Sequence, residues 1–316
     1  MLKFIKTWTL PISMLTGAVV YLVFSNTFFL SPVKPAMYQV ISILTPFLIF
    51  AQLLLTFCKI SVRELMPRPW HVWLLLIQFL STMALVALLL LIPLSDEYRG
   101  LFEGGMVCLI CPTATAAAVI TGKLGGSASS LTTYTLLSNL LATVAVPLLF
   151  PLVEPHVEMS FFVAFLKILG KVFPLLLFPF FLALFLRKFL PSIHRFLAGF
   201  RDLAFYLWAV ALAIVSGQTV KSLVNSDAEI YVELLIAVAG LTACVLQFFL
   251  GKRIGERYAD RISAGQALGQ KNTVLAIWMA YTYLNPLSSV APGSYVLWQN
   301  LFNSWQLWRK ERGFSI

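Results

Sequence analysis

The apolar positions of this chain fall in long blocks, and short polar loops separate the blocks. A helix needs about 20 mostly apolar residues to cross roughly 30 Å of hydrocarbon. Read at that length, the pattern predicts ten spans, at about 7–26, 37–58, 70–93, 101–123, 127–152, 165–187, 201–221, 231–251, 260–282 and 287–308. Two places are untidy. Lys167 and Lys171 interrupt the start of the sixth span, which leaves open a path along the interface for residues 157–170. Nothing from Asn272 to Trp308 is charged, and those 37 residues are too many for one span and too few for two. The ninth span must therefore begin inside the polar stretch before Asn272. Asn285-Pro286 and Pro292-Gly293 read as the turn that follows it.

Composition points the same way. Of 316 residues, 59% are hydrophobic and only 11% charged, against about 25% charged in a soluble domain. The net charge is +10 and the pI about 9.6. In a soluble protein that balance would raise nucleic acid as a partner. Here the basic residues recur in short loops, so they read as orientation signals and exclude a nucleic-acid patch. Of the 23 Lys and Arg residues, 17 fall on the N-terminal side of the predicted spans and 5 on the other, with Lys271 inside a span. That asymmetry predicts an even number of crossings with both termini cytoplasmic; the membrane expected is a bacterial inner membrane. Lys3 and Lys6 before the first block resemble a signal peptide. No small-x-small cleavage site follows, so the block is read as a retained span. Trp70, Trp73, Tyr98, Trp305 and Trp308 fall near span ends as interfacial aromatics, and Glu103 and Glu233 are expected to be hydrated there.

Two spans carry candidate chemistry. The fourth contains Cys111-Pro112-Thr113-Ala114-Thr115-Ala116-Ala117-Ala118. Pro112 removes a backbone donor and breaks the helix ladder. In hydrocarbon such a break survives only inside protein or beside a wet cavity, although a plain proline kink with small packing residues is the bland reading. The ninth contains Gly265-Gln266-Ala267-Leu268-Gly269-Gln270-Lys271-Asn272-Thr273. A Lys at mid-bilayer costs about 2.5–3.5 kcal/mol on insertion scales, so Lys271 either faces an internal site or belongs to a loop. With ten spans, these are each the fourth helix of a five-helix half. An odd number per half inverts the second half, giving repeats 1–155 and 156–316, and paired broken helices mark a midplane substrate site. Cys58, Cys108, Cys111 and Cys244 suggest no disulfide framework, metal site or cofactor.

The two runs also carry a resemblance. Cys111 to Val119 is similar to the fourth-helix C-P-G-G-T-A-S-N-V of the bile acid:sodium symporter family, and Ala267 to Ala276 to its ninth-helix E-x-G-M-Q-N-S-G-L-A. Gln78-Phe79 resembles the family's Q-F pair, and Trp298-Gln299-Asn300 its W-H-N. The matches keep their order across nearly the whole chain. The resemblance implies an all-α polytopic fold of ten helices in two inverted halves, a panel and a core, with broken helices 4 and 9 crossing in the core.

The departures from the family pattern decide what it implies for mechanism. The Ser-Asn pair that helps bind sodium is Ala117 and Ala118 here. The glutamate shared between two sodium sites is Ala267, the Gln of the Q-N pair is Lys271, and one hydroxyl ligand falls on Leu131, while Gln78 and Thr135 remain. Methyl groups offer sodium no oxygen, and a fixed ammonium repels it. The expected function is sodium-independent secondary transport of a small organic anion by alternating access, with Lys271 in place of the sodium charge. Thr113, Thr115, Gln270, Asn272 and Thr273 complete the expected site, the last beside helix N-termini that add partial positive charge. Two mechanisms stay open. Burial penalises a charged amine, so Lys271 can carry a proton, or it stays charged and the carrier is a uniporter. A sensor or scaffold on a transporter fold is the alternative from another class. An enzyme is disfavoured, because His71, His156 and His194 are dispersed and no nucleophile constellation accompanies them. Cys111 as a thiolate ligand, as in related arsenite carriers, is weakened by the inertness of buried cysteines.

Overall fold

The computed structural model describes residues 2–60, 63, 65–154, 159–200 and 202–314; His156 and Arg201 lie outside them. The only regular secondary structure elements of the described residues are helices. Its α-helices are α1 Leu2–Asn26, α2 Lys34–Phe57, α3 Pro69–Leu91, α4 Asp96–Ile110, α5 Ala117–Leu124, α6 Ala128–Val153, α7 Phe161–Leu176, α8 Phe178–Phe189, α9 Pro191–Gly199, α10 Leu203–Val224, α11 Ile230–Glu256, α12 Arg261–Gly269, α13 Thr273–Tyr283 and α14 Val290–Glu311. Five uninterrupted helices among the described residues are long and apolar enough to cross a membrane, those ending at Phe57, Leu91, Val153, Val224 and Glu256. The bent pair α7–α8 makes a sixth if counted as one span. The chain is thus an all-α, multi-pass membrane protein.

The segments that fall short do so for local reasons. The fourth predicted span is split into α4 and α5 around Pro112, and the ninth into α12 and α13 around residues 270–272. The sixth bends by 41° at Leu177, between Pro174 and Pro179, as expected where proline removes ladder donors. Three expectations fail. Pro292-Gly293 is not part of the turn, because α14 already begins at Val290; a proline in the first helical turn gives up an N–H that has no partner there anyway. The turn is made by Asn285, whose Oδ1 accepts from the Leu287 N–H at 3.0 Å. Trp70 is fully buried and donates through Nε1 to Asp260 Oδ2 at 3.1 Å, so it belongs to the packed interior rather than the interface. Glu103 is fully buried too. Its Oε2 accepts the Asn285 N–H at 3.1 Å, and Arg99 Nε lies 3.8 Å from Oε1. A backbone donor and a guanidinium replace the water expected there.

The helices form two compact units, each joining two separate stretches of the sequence: residues 1–60 with 174–227, and residues 61–173 with 228–316. In the first, α1 and α10 approach at Gly17, Ala213 and Gly217, where an added Cβ would strike the opposite backbone. Small residues let membrane helices pack closely where no hydrophobic force drives them together. The second unit uses the same device along α11. Gly251 and Gly255 lie against Ala264 on α12, and Gly240 against Ala291 on α14. Both broken helices, and every residue of the expected site, lie in this second unit.

Candidate functional site

The two breaks meet as extended backbone. Thr113 and Lys271 pair as an isolated antiparallel bridge. The Ala114 N–H donates to the Gln270 carbonyl and the Asn272 N–H to the Pro112 carbonyl, each at 2.9 Å. Each broken helix thereby supplies backbone partners that the other has lost, as a break in hydrocarbon requires. Side chains complete the junction. Thr113 Oγ1 donates to the Ala267 carbonyl at 2.6 Å, and its N–H goes to Ser138 Oγ on α6 at 3.1 Å. Asn272 Oδ1 accepts from the Leu275 N–H at 3.3 Å and so caps α13. The Lys271 N–H donates to Gln299 Oε1 at 2.9 Å, and Gln299 Nε2 lies 3.5 Å from Thr273 Oγ1.

The carbonyls at the end of α4, orphaned by Pro112, are answered by side chains from three other segments. Gln247 Nε2 reaches the Cys108 carbonyl at 3.1 Å. Lys271 Nζ reaches that of Leu109 at 3.2 Å. Gln78 Nε2 reaches those of Ile110 and Cys111 at 2.8 and 3.2 Å, while its Oε1 accepts from Tyr134 Oη at 3.0 Å. Lys271 is 1% exposed. Its amine thus sits at the negative end of the α4 dipole, where a cation is stabilised.

A model of the family described as "Sodium Bile acid symporter family" matches residues 43–226, more than half of the chain. The chain belongs to that family. It is also 28% identical over 245 residues to a protein of Bacillus subtilis (strain 168) named "Uncharacterized sodium-dependent transporter YocS", covering 77% of this chain and 74% of the relative. As a member of the symporter family the chain is a secondary transporter, not an enzyme.

The symporter resemblance singled out four substituted positions, and the structure draws them together. Ala117, Leu131 and Ala267 lie in one buried apolar cluster with Trp70, Leu74, Tyr134, Ala264 and Leu268, and Ala118 packs against it. Of the expected polar residues, Thr113, Gln78, Gln270, Lys271, Asn272 and Thr273 gather at the junction. Thr135 is buried but spends its hydroxyl within its own helix, on the Leu131 carbonyl at 3.1 Å. Thr115 is half-buried in the turn into α5. Asn139 is buried with Nδ2 unpartnered among the described residues, and Asn300 bonds within its own helix to the Val296 carbonyl at 2.7 Å. Cys111 donates through Sγ to the Asn272 carbonyl at 3.0 Å.

Sequence reasoning missed Ser138, Tyr134 and Tyr295, whose Oη donates to the Gly269 carbonyl at 2.7 Å. Gln247, a polar residue inside an apolar span and therefore expected to bond across a helix interface, does so to the Cys108 carbonyl.

Proposed function

We propose that this transporter moves a small organic anion by alternating access without sodium, with the Lys271 ammonium standing in for the coupling charge. The reading includes ten crossings in two inverted repeats, 1–155 and 156–316, with both termini cytoplasmic. The observation that carries it is the cluster formed by Ala117, Leu131 and Ala267, an apolar environment where sodium would need oxygen ligands. Lys271 adds a second support. Among the described residues no carboxylate forms an ion pair with it, so its charge is balanced only by the α4 carbonyl end and is left to attract an anion. The Bacillus relative is named sodium-dependent; the substitutions here are the reason that property is not carried across.

Flux of a panel of organic anions into proteoliposomes tests the reading. Uptake is expected with potassium or choline replacing sodium, and Lys271→Ala is expected to reduce it at least about 100-fold, as loss of an unreplaced buried charge contact of about 3 kcal/mol would. Uptake that requires sodium, or sodium-dependent thermal stabilisation that survives Lys271→Ala, refutes charge replacement. No flux of any solute supports a sensor or scaffold instead. An imposed pH gradient separates the two mechanisms. Acceleration by the gradient assigns proton coupling, and indifference assigns uniport.

A further inference from the structure

Gln299, Asn303 and Gln306 recur at intervals of four and three along α14, so they share one helix face. They are 5%, 3% and 0% exposed. Gln266 and Gln270 stand four apart on α12 and at its end, at 0% and 4%. Gln266 Nε2 donates to Asn303 Oδ1 at 3.0 Å and pins the two stripes together. Gln299 closes one end of the seam on the Lys271 N–H. Much of the remaining polarity has no answer in the protein. Gln266 Oε1, Gln270 Oε1, Asn303 Nδ2, both side-chain polar atoms of Gln306, and Thr121 Oγ1 are buried without a hydrogen-bond partner among the described residues.

The other end of the seam approaches a cavity. Lys310 Nζ donates to the Lys123 carbonyl at 2.8 Å, which fixes α14 against the end of α5. Gln306 stands four residues before Lys310 on α14, and Thr121 two residues before Lys123 on α5. Thr121 Cγ2 is only 2.8 Å from where a Cβ on Gly126 would stand. Gly126 lines a cavity of about 400 Å³ together with Gly125, Glu256, Ala259, Asp260, Arg261 and Ile262.

The chemistry of the unpaired atoms selects the occupant. Every amide brings both an NH₂ donor and a carbonyl acceptor, so turning any of them over keeps the mixture. A bare cation would meet the NH₂ groups and a bare anion the carbonyls. Water donates and accepts, and a buried water makes about three hydrogen bonds to groups of this kind. We propose that the seam between α12 and α14 holds a chain of internal waters, running from the junction of the broken helices toward the face that bears Lys123 and Lys310. The waters are held whether or not flux is proton-coupled. In a proton-coupled carrier they form the conduit between the junction and that face.

The test uses cysteine substitution in the full chain, reconstituted in liposomes. Asn303→Cys and Gln306→Cys are exposed to methanethiosulfonate ethylammonium, a small water-soluble thiol reagent, and modification is read by mass spectrometry. The four native cysteines are buried, so wild-type protein gives the background. Leu301→Cys, at a 59% exposed apolar position, is the lipid-facing control. Modification at least tenfold faster at 303 or 306 than at 301 is expected. Equal or slower modification overturns the proposal. Gln306→Leu gives a second reading that needs no labelling. If water is present, the apolar side chain displaces it and lowers the thermal midpoint by about 3 °C. If the seam is dry, the substitution removes two unpaired groups; an unchanged or raised midpoint therefore overturns the proposal. Neither measurement uses flux, so its failure is separable from failure of the transport reading.

Discussion

The two faces of α12 belong to different environments. One face places Ala264, Ala267 and Leu268 in the apolar cluster with Ala117, Leu131 and the rings of Trp70 and Tyr134. The other turns Gln266 to Asn303 on α14. Ala267 and Gln266 are neighbours in sequence, so a rotation of about 100° around the helix separates the dry side from the polar one. Polarity has not been removed from this part of the core. It stands on the α14 side, away from the positions that the family pattern assigns to sodium, and the basic side chain, Lys271, stands at the break. A membrane core with broken helices needs polar groups to answer its free backbone, and this chain meets that need without a carboxylate on α12.

The comparison is broken most directly by putting a carboxylate back on the dry face. Ala267→Glu buries an acid among the seven other fully buried members of the apolar cluster. An unpaired charge in such a place costs about 3–5 kcal/mol. A fall in thermal midpoint of roughly 10 °C is expected in detergent, with no recovery in sodium chloride relative to the potassium salt, because an ion that does not bind the folded state cannot stabilise it. Recovery specific to sodium would show that the apolar cluster can still accept the ion. A smaller loss is expected from Gln78→Leu. It leaves the Ile110 and Cys111 carbonyls and the Tyr134 hydroxyl without the partner they now have. One such orphaned group costs about 1–3 kcal/mol, and relaxation of the end of α4 keeps the total near the upper figure. Thermal unfolding measures the loss. A neutral result would mean that the α4 carbonyls reach water, and the contrast between dry and polar sides would weaken.

Much of this arrangement was legible in the sequence, because its causes are local. Pro112 in an apolar run fixes a break wherever the helix sits, and Lys271, at the head of an uncharged stretch of 37 residues, marks a second. The substituted positions were likewise visible, since Ala117, Ala118, Ala267 and Leu131 carry their chemistry in their names. What could not be read were the answers to the breaks. Lys271 was expected to face a site, but nothing in the order of residues says that its amine ends on the Leu109 carbonyl, 162 positions away. Glu103 was expected in water, because a carboxylate near a span end usually is. Only packing against Asn285 and Arg99 reveals otherwise. Pro292-Gly293 read as a turn, because the pair signals one in most settings, yet the first turn of a helix tolerates both residues. The polar stripe of Gln299, Asn303 and Gln306 was visible as spacing, but its facing partner on α12 was not.

Tyr134 joins the two sides of the comparison in one residue, and its substitution gives the smallest effect. Its ring is fully buried in the apolar cluster, with the Trp70 ring centroid 5.9 Å away. Its hydroxyl leaves the cluster and donates to Gln78 Oε1, which holds the end of α4 from the other side. Tyr134→Phe keeps the ring and deletes only that link. Gln78 retains both of its donated bonds, so the expected cost is that of one neutral hydrogen bond, about 1 kcal/mol. Flux should stay within about fivefold of wild type, because 1 kcal/mol changes a rate by no more than about that factor. If Tyr134→Phe instead abolishes flux while leaving the thermal midpoint within a few degrees, the hydroxyl is part of the moving machinery. The apolar cluster would then act as a lever on the junction rather than as passive packing beside it.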